Sequence, residues 1–213
     1  MIKVGITGQS GFLGTHLYNY LGLQDDVTRI PFEDSFFQNI KQLLEFVKSC
    51  DIIVHLAAMN RHGDPQVIYD TNIELVNKLI GACEITEAKP HILFSSSTQE
   101  ERDNLYGKSK LDGRKLLEDW AERTKSKFTG LIIPNVFGPF GNPYYNSFIA
   151  TFCHQLTHGE QPKIEIDGDV KLIYIGELVK EIWHRIIENQ YNLHHQYSIT
   201  EFNIPHTSEN KVS

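Results

Sequence analysis

The chain is predicted to fold as an α/β protein around a parallel sheet, and three observations lead there. Short β-branched or apolar runs alternate with longer helical patterns, the order of a repeated strand-helix-strand unit. Ile52-Ile53-Val54 and Leu131-Ile132-Ile133 are apolar at every position, as strands covered by helices on both faces must be. A glycine-rich turn joins the first strand directly to the first helical pattern.

Taken in order, Ile2–Thr7, Val27–Ile30, Asp51–Leu56, Ile92–Ser95 and Thr129–Ile133 read as strands. Between them, Phe12 to Leu21 is apolar at helical period. Asp64-Pro65 pairs a capping carboxylate with a first-turn proline ahead of the periodic segment Val67 to Ala82. Leu105 to Thr124 carries Leu111, Leu116, Leu117 and Trp120 on one helical period. From about Pro139 the alternation loosens into the aromatic stretch Phe137 to Asn146, followed by a helix near Phe148 to Thr157. These features divide the chain into a doubly wound domain at 1–138 and a small substrate lobe at 139–213. The closing Thr207 to Ser213 reads as a helix start with no helix after it, so the chain reads as a fragment of a longer protein.

Composition narrows the class. With 20 basic and 27 acidic residues in 213, the net charge is −7, which argues against a nucleic-acid partner. Hydrophobic residues at 40 % and charged ones at 22 % are globular proportions. No run approaches the roughly 20 apolar residues of a membrane span, and no signal peptide is recognisable, so a cytoplasmic protein is expected. Cys50, Cys83 and Cys153 are too few and too scattered for a disulfide framework or a zinc site. His154 and His158 share a helical face, with His194-His195 downstream, but no carboxylate or third ligand stands at metal spacing, so no metal is expected. Cys153 reads as buried, and Glu118, Asp119, Glu122 and Arg123 as the solvated face of their helix.

Gly8, Gly11 and Gly14 form G-x-x-G-x-x-G at the strand-to-helix junction. The first glycine permits the tight turn, the second lets backbone N–H groups approach a pyrophosphate at the helix N-terminus, and the third lets helix and strand pack closely. This is the Rossmann-type arrangement. At the end of the second strand a carboxylate would hold a ribose 2′-hydroxyl and an arginine a 2′-phosphate. Arg29 stands there, with Glu33 and Asp34 just after it, so NADP(H) is favoured and NAD(H) left open.

Tyr106-Gly-Lys-Ser-Lys110 places a tyrosine and a lysine one helical turn apart. An ammonium there would stabilise phenolate and bring the tyrosine towards acid/base range. Ser95-Ser96-Ser97 ends the preceding strand at the sheet's carboxyl edge, where ligands of such folds bind, and a hydroxyl there could polarise a carbonyl.

Together these segments resemble the extended short-chain dehydrogenase/reductases, with Asp51 to Ala58, Thr71-Asn72, Pro134 to Pro139 and Ile173 to Leu178. Within that group, His55 to Arg61, the short Ser97-to-Tyr106 connection and Asn146 to Cys153 look most like the reductase domain of CapF-type capsular-polysaccharide enzymes. The resemblance implies an enzyme that reduces a UDP-linked 4-keto-6-deoxy amino sugar with NADPH; the alternatives are an NAD-dependent epimerase or dehydratase, and a non-catalytic dinucleotide sensor. It implies Tyr106 as proton donor, Lys110 as the group lowering its pKa and holding the nicotinamide ribose, and Ser97, with Ser96 as alternative, as the carbonyl's partner. Gly8, Ser10, Gly11, Phe12, Leu13, Gly14, Arg29, Leu56, Ala57, Ala58 and Pro134 would line the dinucleotide. Asn60, Arg61, Asn135 and Asn146 would face the sugar nucleotide, Arg61 as a diphosphate or substrate contact. A homodimer is expected, with Leu75, Leu79, Leu111 and Trp120 available either for its helical interface or for the core. The sequence departs from the group's pattern in carrying Leu131-Ile132-Ile133 where many members have an arginine, and CapF-type proteins continue into a C-terminal cupin domain that residues 1–213 do not include.

Overall fold

A computed structural model describes residues 1–164, 167–191 and 197–212. His194 and His195 lie outside the described residues. Six parallel strands form the main sheet: β1 (Ile2–Thr7), β2 (Val27–Ile30), β3 (Ile52–His55), β4 (His91–Ser97), β5 (Lys127–Ile133) and β8 (Ser198–Asn203), in the order β2-β1-β3-β4-β5-β8. β1 pairs with β2 on one side and β3 on the other, so the winding reverses between β1 and β3. That reversal opens a crevice at the carboxyl ends of the strands. Among the described residues, no helix is long and apolar enough to cross a membrane.

Helices cover both faces, as the uninterrupted apolar strands require. On one face α1 (Phe12–Leu21) and α6 (Ile175–Tyr191) bury Leu17, Leu21, Leu178 and Ile182 against Val4, Ile6, Val54 and Leu131. On the other, α2 (Ile40–Ser49), α3 (Pro65–Thr86) and α4 (Leu105–Thr124) bury Phe46, Leu79, Leu117 and Trp120 against Ile53, Ile92 and Phe128. Asp64 caps α3, its side chain accepting from Gln66 N at 2.9 Å, with Pro65 in the first turn as the sequence suggests. Leu79 and Trp120, offered for a dimer interface, are fully buried within this chain and belong to the core.

The expected boundary at 138/139 does not divide the core. β8 and α6 come from beyond it, yet β8 is the sixth strand of the main sheet and α6 seals the face that α1 leaves open. The smaller part is a three-stranded sheet of β6 (Asn135–Phe137), β7 (Asp169–Tyr174) and β9 (Ser208–Lys211), together with α5 (Phe148–Thr157). β9 lies on the segment read as a helix start. Its backbone pairs antiparallel with β7, and this long-range ladder outweighs the local capping signal. Cys153, expected to be buried, is exposed on α5, whereas Cys50 and Cys83 are buried and their thiols pushed up to about 12.

Candidate active site

The crevice is built from strand ends. Gly8 follows β1 with φ +70°, a conformation open to glycine at little cost, and a Cβ on it would lie 2.8 Å from Ala57 N across the crevice. A Cβ on Gly14 would lie 2.2 Å from Gly8 O, so the third glycine lets α1 sit against the turn. Gly11 caps α1 with no side-chain bond and no acidic residue in the first turn, leaving that helix end electropositive. An anionic pyrophosphate fits this cradle. Ser10, Gly11, Phe12 and Leu13 form the turn and first helical residues. Leu56, Ala57 and Ala58 follow β3, with the Leu56 and Ala57 backbone against Gly8, Leu56 N donating to Thr7 O and Ala57 N to Thr7 Oγ1. Pro134, buried, ends β5 on the same edge.

Tyr106 and Lys110 sit on the first turns of α4. Asn104 caps that helix, its side chain accepting from Gly107 N at 2.7 Å. A Cβ on Gly107 would fall 1.9 Å from Gln99 O, so glycine is what allows the 3₁₀ turn Thr98–Glu101 to fold back on α4 and keeps the Ser97-to-Tyr106 connection short. Lys110 is buried. Its Nζ donates to Ser95 O at 3.0 Å, 5.3 Å from the Phe94 ring centroid and 5.8 Å from that of Tyr106. Burial lowers its pKa to about 8.

Tyr106 does not show the lowering that the motif suggests. Burial, with a smaller contribution from the nearby Tyr145 phenol, pushes it up to about 12. The ammonium sits over the ring face and bonds to the Ser95 carbonyl, so desolvation decides the sign.

The three serines separate cleanly. Ser95 Oγ donates to His55 O at 3.2 Å, tying β4 to β3. Ser96 is buried and donates to Glu100, which removes it as the alternative carbonyl partner. Ser97 caps the 3₁₀ turn by accepting from Gln99 N at 3.2 Å. That bond uses a lone pair, and the hydroxyl proton can still be directed at a carbonyl in the crevice.

Other expected contacts are redirected. Arg29 does not reach the glycine turn: its Nη1 donates to Tyr18 O at 3.0 Å, its guanidinium stacks 4.1 Å over the Tyr18 ring, and it lies against Gly22 at the carboxyl end of α1. A cation is favoured there by the helix dipole, and it is the end opposite the cradle. Asp34 meets the turn instead, accepting from Ser10 Oγ at 3.2 Å. Arg61, expected at a diphosphate or substrate, donates to the carbonyls of Tyr144 and Tyr145. Asn135 is exposed and its amide donates to Lys171 O at 3.4 Å; Asn60 and Asn146 are exposed.

Two groups escaped the sequence reading. Asn72 bridges Met59 N at 2.7 Å and Ser109 Oγ at 2.9 Å, fixing the segment after β3 to α4. Arg114 is buried among three carboxylates, reaching Glu100 at 2.8 Å, Glu118 at 2.7 Å and Glu201 at 2.7 Å. Glu118 is therefore not part of a purely solvated face. Asn72 lies within the Thr71-Asn72 match; no sequence pattern announced Arg114, whose partners come from three elements.

A parallel sheet that reverses its winding where a glycine turn opens onto a helix belongs to the dinucleotide-binding α/β proteins. The Tyr106/Lys110 pair narrows that class to the extended short-chain dehydrogenase/reductases. The chain belongs to the NAD dependent epimerase/dehydratase family, whose profile matches residues 4–200. It is 33 % identical over 180 residues to the UDP-2-acetamido-2,6-beta-L-arabino-hexul-4-ose reductase of Pseudomonas aeruginosa, covering 84 % of this chain and 48 % of that protein. Among solved structures it resembles the capsular polysaccharide assembling protein CapF of Staphylococcus aureus, with TM-score 0.76 and 30 % identity over 99 % of this chain and 54 % of that one. The UDP-glucose 4-epimerase of Thermotoga maritima shares the fold, with TM-score 0.80, 20 % identity, and coverage of 99 % of this chain and 79 % of that one. The chain thus spans about half the length of the reductase and of CapF.

Proposed function

We propose that this chain is the reductase part of a nucleotide-sugar enzyme, transferring hydride from a reduced nicotinamide dinucleotide to the keto carbon of a UDP-linked 4-keto-6-deoxy amino sugar for capsule or O-antigen synthesis. The observation that supports this reading is the Tyr106/Lys110 pair in the first turns of α4, which a short connection joins to Ser97 at the carboxyl end of β4. The 33 % identity to a UDP-hexulose reductase supports the substrate class.

The dinucleotide supplies the hydride when bound. The chain's own residues hold it and deliver the proton. Gly8, Gly11 and Gly14 with the α1 N-terminus would seat the pyrophosphate. Ser97 donates a hydrogen bond to the substrate carbonyl oxygen, and Tyr106, a phenol held neutral with a pKa of about 12, gives that oxygen its proton. Lys110, a cation at neutral pH, stabilises the negative charge left on the phenol. The expected preference for NADP(H) rested on Arg29, which is engaged elsewhere. Asp34 brings a carboxylate to the glycine turn, which suits a free ribose 2′-hydroxyl and repels a 2′-phosphate, so NAD(H) is the cofactor this geometry favours.

The test is oxidation of NADH and of NADPH with a UDP-4-keto-6-deoxy-N-acetylhexosamine, in wild type and Tyr106→Phe. We expect stoichiometric oxidation, faster with NADH, reduced about 10²- to 10⁴-fold in the variant while dinucleotide binding persists. Binding without oxidation of either cofactor would overturn the reductase reading in favour of an epimerase or a sensor.

A further inference from the structure

Two side chains reach across the mouth of the crevice to one loop. Arg61, on the segment after β3, donates from Nη1 to the backbone carbonyl of Tyr144 and, at 2.7 Å, to that of Tyr145. His16, in the second turn of α1, shares a hydrogen bond of 3.0 Å with Pro139 O. Its ring is edge-on to Phe12 with centroids 5.3 Å apart and tilted against Phe140 at 6.1 Å. The two anchors come from the elements that flank the crevice and grip opposite ends of residues 139–145.

Among the described residues, little else holds the loop over the crevice. Phe140 is 91 % exposed, and Phe140 and Tyr144 adopt φ of +65° and +57°, values that side chains other than glycine adopt at a cost. Its remaining side-chain ties run towards α5 and beyond: Tyr144 N donates to Thr151 Oγ1 at 2.8 Å and Tyr144 OH to Glu160 at 2.8 Å.

We propose that Arg61 and His16 are positioning residues that strap residues 139–145 across the crevice. Arg61 acts through both N–H groups of one guanidinium nitrogen on two successive carbonyls, a geometry that a lysine ammonium does not reproduce. What the strap closes over is the nucleotide-sugar site proposed above, and its role in turnover rests on that reading.

Hydrogen exchange of the ligand-free chain tests the strap without reference to catalysis. In Arg61→Ala we expect amides of 139–147 to exchange about tenfold faster, with a smaller effect in His16→Ala and little rescue by Arg61→Lys. In turnover, KM for the UDP-sugar should rise about tenfold in Arg61→Ala, with kcat and dinucleotide affinity within about twofold of wild type. Unchanged exchange in both alanine variants would overturn the strap. So would loss of affinity for UDP without faster exchange, which would return Arg61 to direct diphosphate binding. Faster exchange with no keto-sugar reduction by wild type would leave the strap standing and remove the reductase reading.

Discussion

Burial drives the members of the Tyr106/Lys110 pair in opposite directions, and the working pH follows from the lower value. Tyr106 at about 12 stays protonated across the physiological range, while Lys110 at about 8 loses its charge as the solution turns mildly alkaline. We therefore expect kcat/KM, which reports the free enzyme, to fall on the alkaline side with an apparent pKa of about 8. A profile flat to pH 10 would sink that assignment. Stability moves the other way: between about 8 and 10.5 the unfolded chain binds more protons than the folded one, so this lysine's contribution to stability grows as pH rises through that window. Arg114 presents a different kind of buried charge. Removing it in Arg114→Ala leaves Glu100, only 8 % exposed in its side chain, without its ionic partner, at a cost of about 3 kcal/mol in urea unfolding. Adding Glu100→Gln to that variant should recover part of the loss, and failure to recover any would mean that Arg114 stabilises chiefly through packing against Gly130.

At the scale of elements, the site depends on how closely the 3₁₀ turn Thr98–Glu101 lies against α4. Gly107 makes that approach possible, because any side chain there meets the Gln99 carbonyl. Gly107→Ala should displace the turn and with it Ser97, lowering kcat about tenfold or more while the glycine cradle keeps its dinucleotide affinity; a fall in dinucleotide affinity alone would contradict this. The same elements show what could be read in advance. The helices Phe12–Leu21, Leu105–Thr124 and Phe148–Thr157 and the Asp64 cap were legible because apolar period and capping chemistry are local. The glycine turn before α1 and the placement of Tyr106 and Lys110 on one helix were legible for the same reason. Arg29 and Arg61 were misjudged because a guanidinium can reach a carbonyl on another element: Tyr18 O eleven residues earlier for Arg29, and Tyr144 and Tyr145 for Arg61. β9 was misread because its partner, β7, is supplied by the tertiary fold.

For the whole molecule, two neutral histidines inside the sheet region set its tolerance of acid. His55 is buried between Phe37 and Phe94, bonded through Nδ1 to Thr7 Oγ1 at 2.6 Å, with Nε2 lacking a hydrogen-bond partner among the described residues. His91 is buried on Thr129 Oγ1 at 2.9 Å. Burial lowers both to about 3, against 6.5 in the unfolded chain, so stability falls as pH drops from 6.5 towards 3. At pH 5 each histidine should cost about 2 kcal/mol. Urea midpoints at pH 7 and pH 5 should separate accordingly, and the gap should narrow in His91→Gln; an unchanged gap would show that other groups carry the acid sensitivity. The last strand of the sheet has a consequence in time. Thr200 of β8 bonds to Phe128 O of β5 across 72 residues, so β5 leaves the ribosome with one edge bare. At roughly 5–20 residues per second its partner follows about 4–14 s later. Throughout that interval the nascent sheet offers an unpaired parallel edge, the kind of edge at which a growing chain is open to pairing with another.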